Sequence, residues 1–382
     1  MKILLGGIPL GCDNIGDEAI IACVVRMLKA SIPGVELAVA TADPSTSPLL
    51  GVNVEPAFGF AGVTMHGFAE TVRRYDAYIW CGATGLSDYP HVALDLLESA
   101  QKSGVATYIW GVGMDDELNP VFFKAHGRRR KVLSLFGLVG WYERTLRARL
   151  ARRLARLLPR CRGVWLRDPE SAEMLSSMGF GGAKVAADTA ILLPKPTDVK
   201  APKVPTLGLC ISTQRQVSDL DGVKRLVASV RESGANVVGI PMNPKTDRAL
   251  MRILAAGLEH PERIECLEND SPDVVQACAG QCRLVVSSRL HLLILAANAG
   301  VPGLGIERGS KISNWLNAFG RTSSGTVEDC DPALLERQIL ELAARPREQL
   351  QAETLAVMKQ MHERLDKAAV LLREALAGKS PS

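Results

Sequence analysis

Short apolar runs alternate with helical patterns along almost the whole chain, and this alternation restricts the fold more than any single motif. In the first half, residues 2–6, 36–41, 77–82, 106–111, 163–167 and 184–187 read as strands. In the second half, 206–212, 236–240, 263–267, 283–287 and 302–306 do. Several runs are almost wholly apolar, as expected of parallel strands covered on both faces. Helical patterns lie between them, for example 18–30, 171–178, 273–279 and 289–299. Such βα alternation implies parallel sheets with right-handed crossovers. The predicted fold class is α/β, with two Rossmann-like doubly wound domains.

Two domains also suit 382 residues. The alternation is interrupted at 194–205, where four prolines fall within 12 residues, so an extended linker is expected there. The predicted division is therefore 1–193, linker 194–205, 206–344, and a C-terminal helical tail over 345–382. A tail of this kind often packs back across the first domain. Doubly wound domains bind ligands at the carboxyl ends of their strands, which directs attention to loops after strands and to first helical turns.

Composition excludes several classes. Hydrophobic residues make up 47% and charged residues 23%, so the chain is not disordered throughout. No apolar run approaches the ~20 residues of a spanning helix. The net charge of +4 gives no argument for nucleic acid. Nine irregularly spaced cysteines fit reduced thiols in a cytoplasm better than a disulfide framework. Cys278 and Cys282 alone make a poor metal site. The first 12 residues imitate a lipoprotein signal only faintly and read as a buried strand.

The strongest candidate site is Ser288-Arg289-Leu290-His291. Ser288 is the expected N-cap, which puts Arg289 and His291 in the first helical turn. A cation there is unfavourable unless an anion accompanies it. The next βα unit repeats the oddity, with Glu307 and Arg308 after the strand and Lys311 at a helix start. Two such first turns with one histidine can hold a phosphate and a carboxylate, with His291 placed for proton transfer. The blander alternative is that Arg289 pairs with a structural acid and His291 belongs to the core.

Other loops carry weaker signals. Asn14 and Asp17 follow the first strand and could bind sugar hydroxyls, although Asp17 and Glu18 also suit a helix start. Asp88, in a small-residue loop, is a candidate base or hydroxyl-binding group, or simply a solvated acid. Arg167 closes a strand, either as a ligand contact or in a salt bridge with Asp168 or Asp188. Residues 124–162 hold 13 lysines and arginines against one acid, Glu143. Leu146, Leu150, Leu154 and Leu157 form a stripe behind Trp141 and Tyr142, an interfacial-helix pattern for anionic lipid. A helix packed by its leucine face and a polyanion-binding face are the competing readings.

Taken together, these segments resemble the polysaccharide pyruvyl transferase family. The resemblance rests on Asn14-Ile15-Gly16-Asp17-Glu18, the glycine-rich turn after Trp80, Arg167-Asp168 with Ser171, Asp188-Thr189-Ala190, and Ser288-Arg289-Leu290-His291 followed by Pro302 and Lys311. It implies a glycosyltransferase-B-like pair of domains, acceptor-side first and donor-binding second. It further implies transfer of a pyruvyl group from phosphoenolpyruvate to a sugar diol of a glycan, with phosphate released and no cofactor or metal. Arg289, His291, Arg167 and Lys311 match the family's important cations and histidine, with Ser288 beside them. The sequence departs from the family at Cys81-Gly82-Ala83-Thr84-Gly85 and at Arg308-Gly309-Ser310, where Arg308 stands in place of an aromatic residue. His291 is then the acid, Asp88 the base, and the basic segment would hold the enzyme to the cytoplasmic face of the membrane, where lipid-linked glycans are built. A sugar-nucleotide glycosyltransferase of the same fold, using Glu307 to hold ribose, is the main alternative. A non-catalytic glycan binder is a third, disfavoured by cations kept at helix starts.

Overall fold

The computed structural model describes residues 1–196, 203–212, 219–255, 264–266 and 271–378. They form two compact units. One comprises Met1–Cys12, Val24–Asp188 and Arg364–Ser382; the other comprises Asp13–Cys23 and Thr189–Glu363. The change of unit at Asp188 precedes the proline-rich segment, of which 197–202 lie outside the described residues.

The first unit is built on seven parallel strands: β1 (Lys2–Gly6), β2 (Glu36–Thr41), β3 (Asn53–Pro56), β4 (Ala77–Cys81), β5 (Ala106–Val112), β6 (Gly163–Leu166) and β7 (Lys184–Val185). Their order is β3-β2-β1-β4-β5-β6-β7, the doubly wound arrangement, with its switch point between β1 and β4. β4 is buried at every position, as a strand covered on both faces must be. Trp80, Trp110 and Trp165 fill the interior of the sheet. The sequence reading missed β3. Asn53 and Pro56 disguise it, and as an edge strand it needs neither a continuous apolar run nor every N–H.

The second unit repeats the plan with β8 (Thr206–Cys210), β9 (Asn236–Gly239), β10 (Ile264–Cys266), β11 (Leu284–Ser287) and β12 (Gly303–Gly305). The order is β10-β9-β8-β11-β12, all parallel, with the switch point between β8 and β11. Leu207, Leu209, Val286 and Leu304 from the strands pack with Val223, Leu226 and Val227 of the helix Leu220–Glu232. The long helix Arg347–Leu376 contributes to both units. In the first, Tyr108 donates its hydroxyl hydrogen to the Ala375 carbonyl at 3.0 Å and Arg364 Nε donates to Ala186 at 2.5 Å. The tail does therefore pack against first-unit strands.

The leucine stripe of the basic segment has a different role from the one expected. Leu150, Leu154 and Leu157 of the helix Val139–Leu157 are buried in the first-unit core with Leu94 and Leu97 of the helix Pro90–Lys102, and Leu146 packs beside them. Arg153 and Arg156 reach over to Glu98, at 3.1 Å each. This face is saturated by protein, so it is not a lipid-facing stripe. Among the described residues, no helix is long and apolar enough to cross a membrane.

Truncating a fully buried leucine here removes transfer energy and leaves a cavity. Leu154→Ala should cost about 2–5 kcal/mol in urea unfolding. Leu135→Ala, at a side chain 82% exposed, should cost no more than about 0.5 kcal/mol. Equal effects would contradict the burial pattern.

Candidate functional site

The second unit holds the histidine site. The chain segment after β1 turns at Asp13, which has φ of 57°, and enters the helix Ile15–Ser31. Asn14 organises this entry. Its Oδ1 accepts the Gly16 N–H at 3.2 Å and its Nδ2 donates to Asp17 at 2.8 Å. Two bonds dock the turn onto the rest of the unit: Ile15 N–H donates to the Met242 carbonyl at 3.1 Å, and Lys245 pairs with Asp13 at 2.5 Å. The imidazole of His291 lies directly against Gly16, so close that any Cβ there would collide with Nδ1 and Cγ. Glycine is required at this position by that approach alone.

His291 occupies the first turn of the helix Leu290–Asn298, half-buried, with its Nε2 shielded from water. Ser288 is not the N-cap. Arg289 is, in an extended conformation, and Ser287 Oγ takes its N–H at 2.9 Å while donating to its carbonyl. Ser288 turns inward instead, accepting the Ser212 N–H at 2.8 Å. Sequence alone could not choose between two adjacent serines; the pairing of β11 with β8 decides it, because Ser288 N–H already continues that ladder to Cys210.

Arg289 is held by an acid that the sequence reading did not single out. Asp247, fully buried in the first turn of the helix Pro244–Ala255, takes Nε at 3.1 Å and Nη2 at 2.7 Å, and Nη2 also reaches Thr246 Oγ1 at 3.0 Å. The same carboxylate accepts the Met242 and Asn243 N–H groups. Burial and then Asp247 push the neighbouring Cys210 thiol well above its ordinary pKa. The structural-acid pairing anticipated for Arg289 is therefore present. It also orients the guanidinium, and among the described residues Nη1 has no protein partner. The one available signal for Asp247 was an acid in a first turn whose helix is otherwise apolar on its inner face.

Lys311 lies, as expected, in the first turn of the helix Ser310–Asn317. That helix follows β12, the neighbour of β11, so both first turns leave the same carboxyl edge of the sheet. Lys311 and Arg308 are half-buried. Glu307 accepts the Ser323 hydroxyl.

Asp88 and Arg167 belong to the first unit, at the carboxyl ends of β4 and β6. The loop after β4 is held by a bond of its own and one to the loop after β5: Asp88 accepts the Thr84 hydroxyl at 2.5 Å, and Ser87 Oγ accepts the Asp115 N–H at 3.0 Å. Arg167 is buried against Gly113, where a Cβ would collide with its guanidinium. It pairs with Asp168 at 3.0 Å and with Asp188 at 3.9 Å. Burial acts to lower its pKa, but Asp168, Asp188 and Asp115 outweigh burial and raise it. Both salt-bridge partners considered from sequence are thus engaged. The structure brings Asn14, Asp17 and His291 together through Gly16, and does so in the second unit, whereas residues 13–23 were expected in the first domain.

Removing the arginine side chain strands a buried carboxylate. Arg289→Ala should lower unfolding free energy by about 3 kcal/mol or more, measured by urea titration, and Asp247→Asn should cost less because its backbone donors remain paired. An unchanged midpoint in Arg289→Ala would mean that the Arg289–Asp247 pair does not contribute to stability.

Comparison with known proteins completes the assignment. No curated protein sequence matches the chain. Among solved structures, a glycotransferase of kitacinnamycin is similar at 13% identity over 98% of each chain, with a TM-score of 0.61. The S. aureus protein MnaA, solved with UDP, is similar at 13% identity over 92% of this chain and 90% of that one, TM-score 0.59. The glycosyltransferase VinC, solved with dTDP, is similar at 15% identity over 98% and 99%, TM-score 0.54. At these identities the likeness establishes the fold, which is the two-domain Rossmann-like plan of glycosyltransferases and epimerases. The family description polysaccharide pyruvyl transferase matches residues 14–310, and the chain is therefore a member of the polysaccharide pyruvyl transferase family and a transferase.

Proposed function

We propose that the protein transfers a pyruvyl group from phosphoenolpyruvate to two hydroxyls of a glycan sugar, closing a cyclic ketal and releasing phosphate. The observation that carries this reading is the His291 ring seated against Gly16 in a first helical turn, two residues after the oriented Arg289, within the family match. Phosphoenolpyruvate concentrates about three negative charges near neutral pH, so it wants several cations together. The Nη1 donors of Arg289 and the Lys311 ammonium supply them, joined by Arg308; Ser288 positions the strand end, and Asn14 and Asp17 fix the turn against His291.

In the proposed reaction, His291 protonates the methylene carbon and makes the neighbouring carbon electrophilic. One sugar hydroxyl adds to that carbon and gives up its proton to a base. The second hydroxyl then adds as the bond to the phosphate oxygen breaks, and the leaving phosphate takes up the remaining proton. The nearby cations stabilise the charge that grows on phosphate. For the base we propose Asp88. Arg167 serves, on this reading, to hold the first unit's loop after β5 rather than to touch the donor. The acceptor is a glycan carried on a lipid, which brings the enzyme to the inner face of the plasma membrane.

A sugar-nucleotide glycosyltransferase is the second reading, favoured by the nucleotides bound to two structurally similar proteins. Thermal shift separates the two. A ligand at a hundred times its dissociation constant adds about 2.7 kcal/mol, a shift of a few degrees. Phosphoenolpyruvate should stabilise the wild type, and Lys311→Ala should reduce that shift. Stabilisation by sugar nucleotides and not by phosphoenolpyruvate would overturn the pyruvyl reading and make Glu307 the next residue to test.

The two proton-transfer roles are testable by kinetics. His291→Asn should lower kcat about 10²–10⁴-fold with little change in melting temperature. Asp88→Asn should lower kcat while leaving the phosphoenolpyruvate shift intact; loss of that shift instead would assign Asp88 to donor binding or to the fold of its loop.

A further inference from the structure

The basic segment has a second apolar surface, distinct from its buried leucines. Val132, Leu135, Phe136, Leu138 and Trp141 are all exposed, Leu135 at 82%, Phe136 at 71% and Trp141 at 57%. They fall in ten consecutive residues where the helix Gly127–Leu135 turns into the helix Val139–Leu157. The first of these helices buries no side chain.

The turn is ordered. Phe136 ends the first helix, Gly137 adopts φ of 63°, its N–H returns to Ser134 at 3.1 Å, and the Leu138 N–H returns to Leu133 at 2.8 Å. This is the paired-bond helix stop that glycine permits. Arg129 ties the two helices, donating to the Tyr142 hydroxyl at 2.8 Å with its guanidinium 5.6 Å from the ring centre. The apolar side chains are therefore held out by a fixed hairpin.

Cations sit on both helices behind the tip. Arg128, Arg129, Arg130 and Lys131 crowd the start of the first helix, where the helix dipole already disfavours them. Arg144 and Arg147 follow on the second helix. The single acid of the segment, Glu143, is occupied by the Ala125 N–H at 3.1 Å. Among the described residues, no carboxylate lies within ion-pair distance of Arg128, Arg130, Lys131 or Arg144.

We propose that this hairpin tip docks on an anionic lipid bilayer, with Leu135, Phe136 and Trp141 entering the boundary between headgroups and acyl chains and the cations meeting lipid phosphates. A nucleic acid would satisfy the cations and leave the apolar side chains in water. A second copy of the chain would bring two cationic clusters together. The inference gives a location to the lipid-linked acceptor reading and rests on it for its purpose. The assay below uses neither donor nor acceptor, so its failure leaves pyruvyl transfer standing, and failure of pyruvyl transfer leaves the docking surface standing.

The test is co-sedimentation of the full chain with vesicles of phosphatidylcholine alone or of equal parts phosphatidylcholine and phosphatidylglycerol. Wild type should bind the mixed vesicles and not the neutral ones. Leu135→Ser with Phe136→Ser should weaken binding about tenfold or more. Arg128→Gln with Arg130→Gln and Lys131→Gln should weaken it about a hundredfold. The substituted side chains are exposed, so melting temperatures should match wild type; if the first pair is destabilised, Leu138→Ser with Trp141→Ser replaces it. No binding to mixed vesicles overturns the proposal. So does binding that the charge variant abolishes but both apolar variants keep, which would make the tip a polyanion surface. A dimer in solution that Phe136→Ser dissociates would assign the tip to contact between copies and overturn it as well.

Discussion

The contact between the His291 imidazole and Gly16 organises the second unit's site. It joins the first turn of one helix to the first turn of another, from segments 275 residues apart. A side chain larger than hydrogen at position 16 is excluded. The Ile15 N–H bond to Met242 and the Lys245–Asp13 pair hold the approach in place. Because of this docking, residues 13–23 belong with the second sheet although they follow a strand of the first. Everything proposed for His291 as an acid depends on the ring being fixed there.

The two arginines singled out share one design. Each is buried or nearly so, each closes a strand, and each is paired with an aspartate. They differ in what is left over. Arg167 faces Asp168, Asp188 and Asp115, three acids around one cation, so its charge is spent within the unit. Arg289 meets one carboxylate through Nε and Nη2. Among the described residues its Nη1 has no protein partner, and Lys311 leaves the same edge of the sheet. An ion pair therefore does not argue against a ligand role when the geometry leaves part of the fork uncommitted.

Much of this was legible in the residues. Strand positions were readable because parallel strands buried on both faces are apolar throughout, as at Ala77–Cys81 and Leu284–Ser287. The alternating pattern gave the fold class, and the unusual cations at helix starts pointed to the site. What escaped depends on tertiary pairing. Asp247 is one acid among many until the fold puts it under Arg289. The choice between Ser287 and Ser288 as the group that serves Arg289 follows from the β8–β11 ladder. The leucines at 150, 154 and 157 have the period of an interfacial stripe and of a core stripe alike. Only packing against the helix Pro90–Lys102 separates the two, and it moves the lipid question to the hairpin tip.

The central claim is that a phosphoenolpyruvate held by Arg289 and Lys311 presents its methylene carbon to His291. The most direct measurement is a crystal structure of the wild-type protein with phosphoenolpyruvate bound. The account predicts carboxylate and phosphate oxygens on Arg289 Nη1 and the Lys311 ammonium, with the methylene carbon about 3–3.5 Å from a ring nitrogen of His291. Phosphoenolpyruvate bound away from these groups, or bound there with its methylene turned from the imidazole, would contradict it.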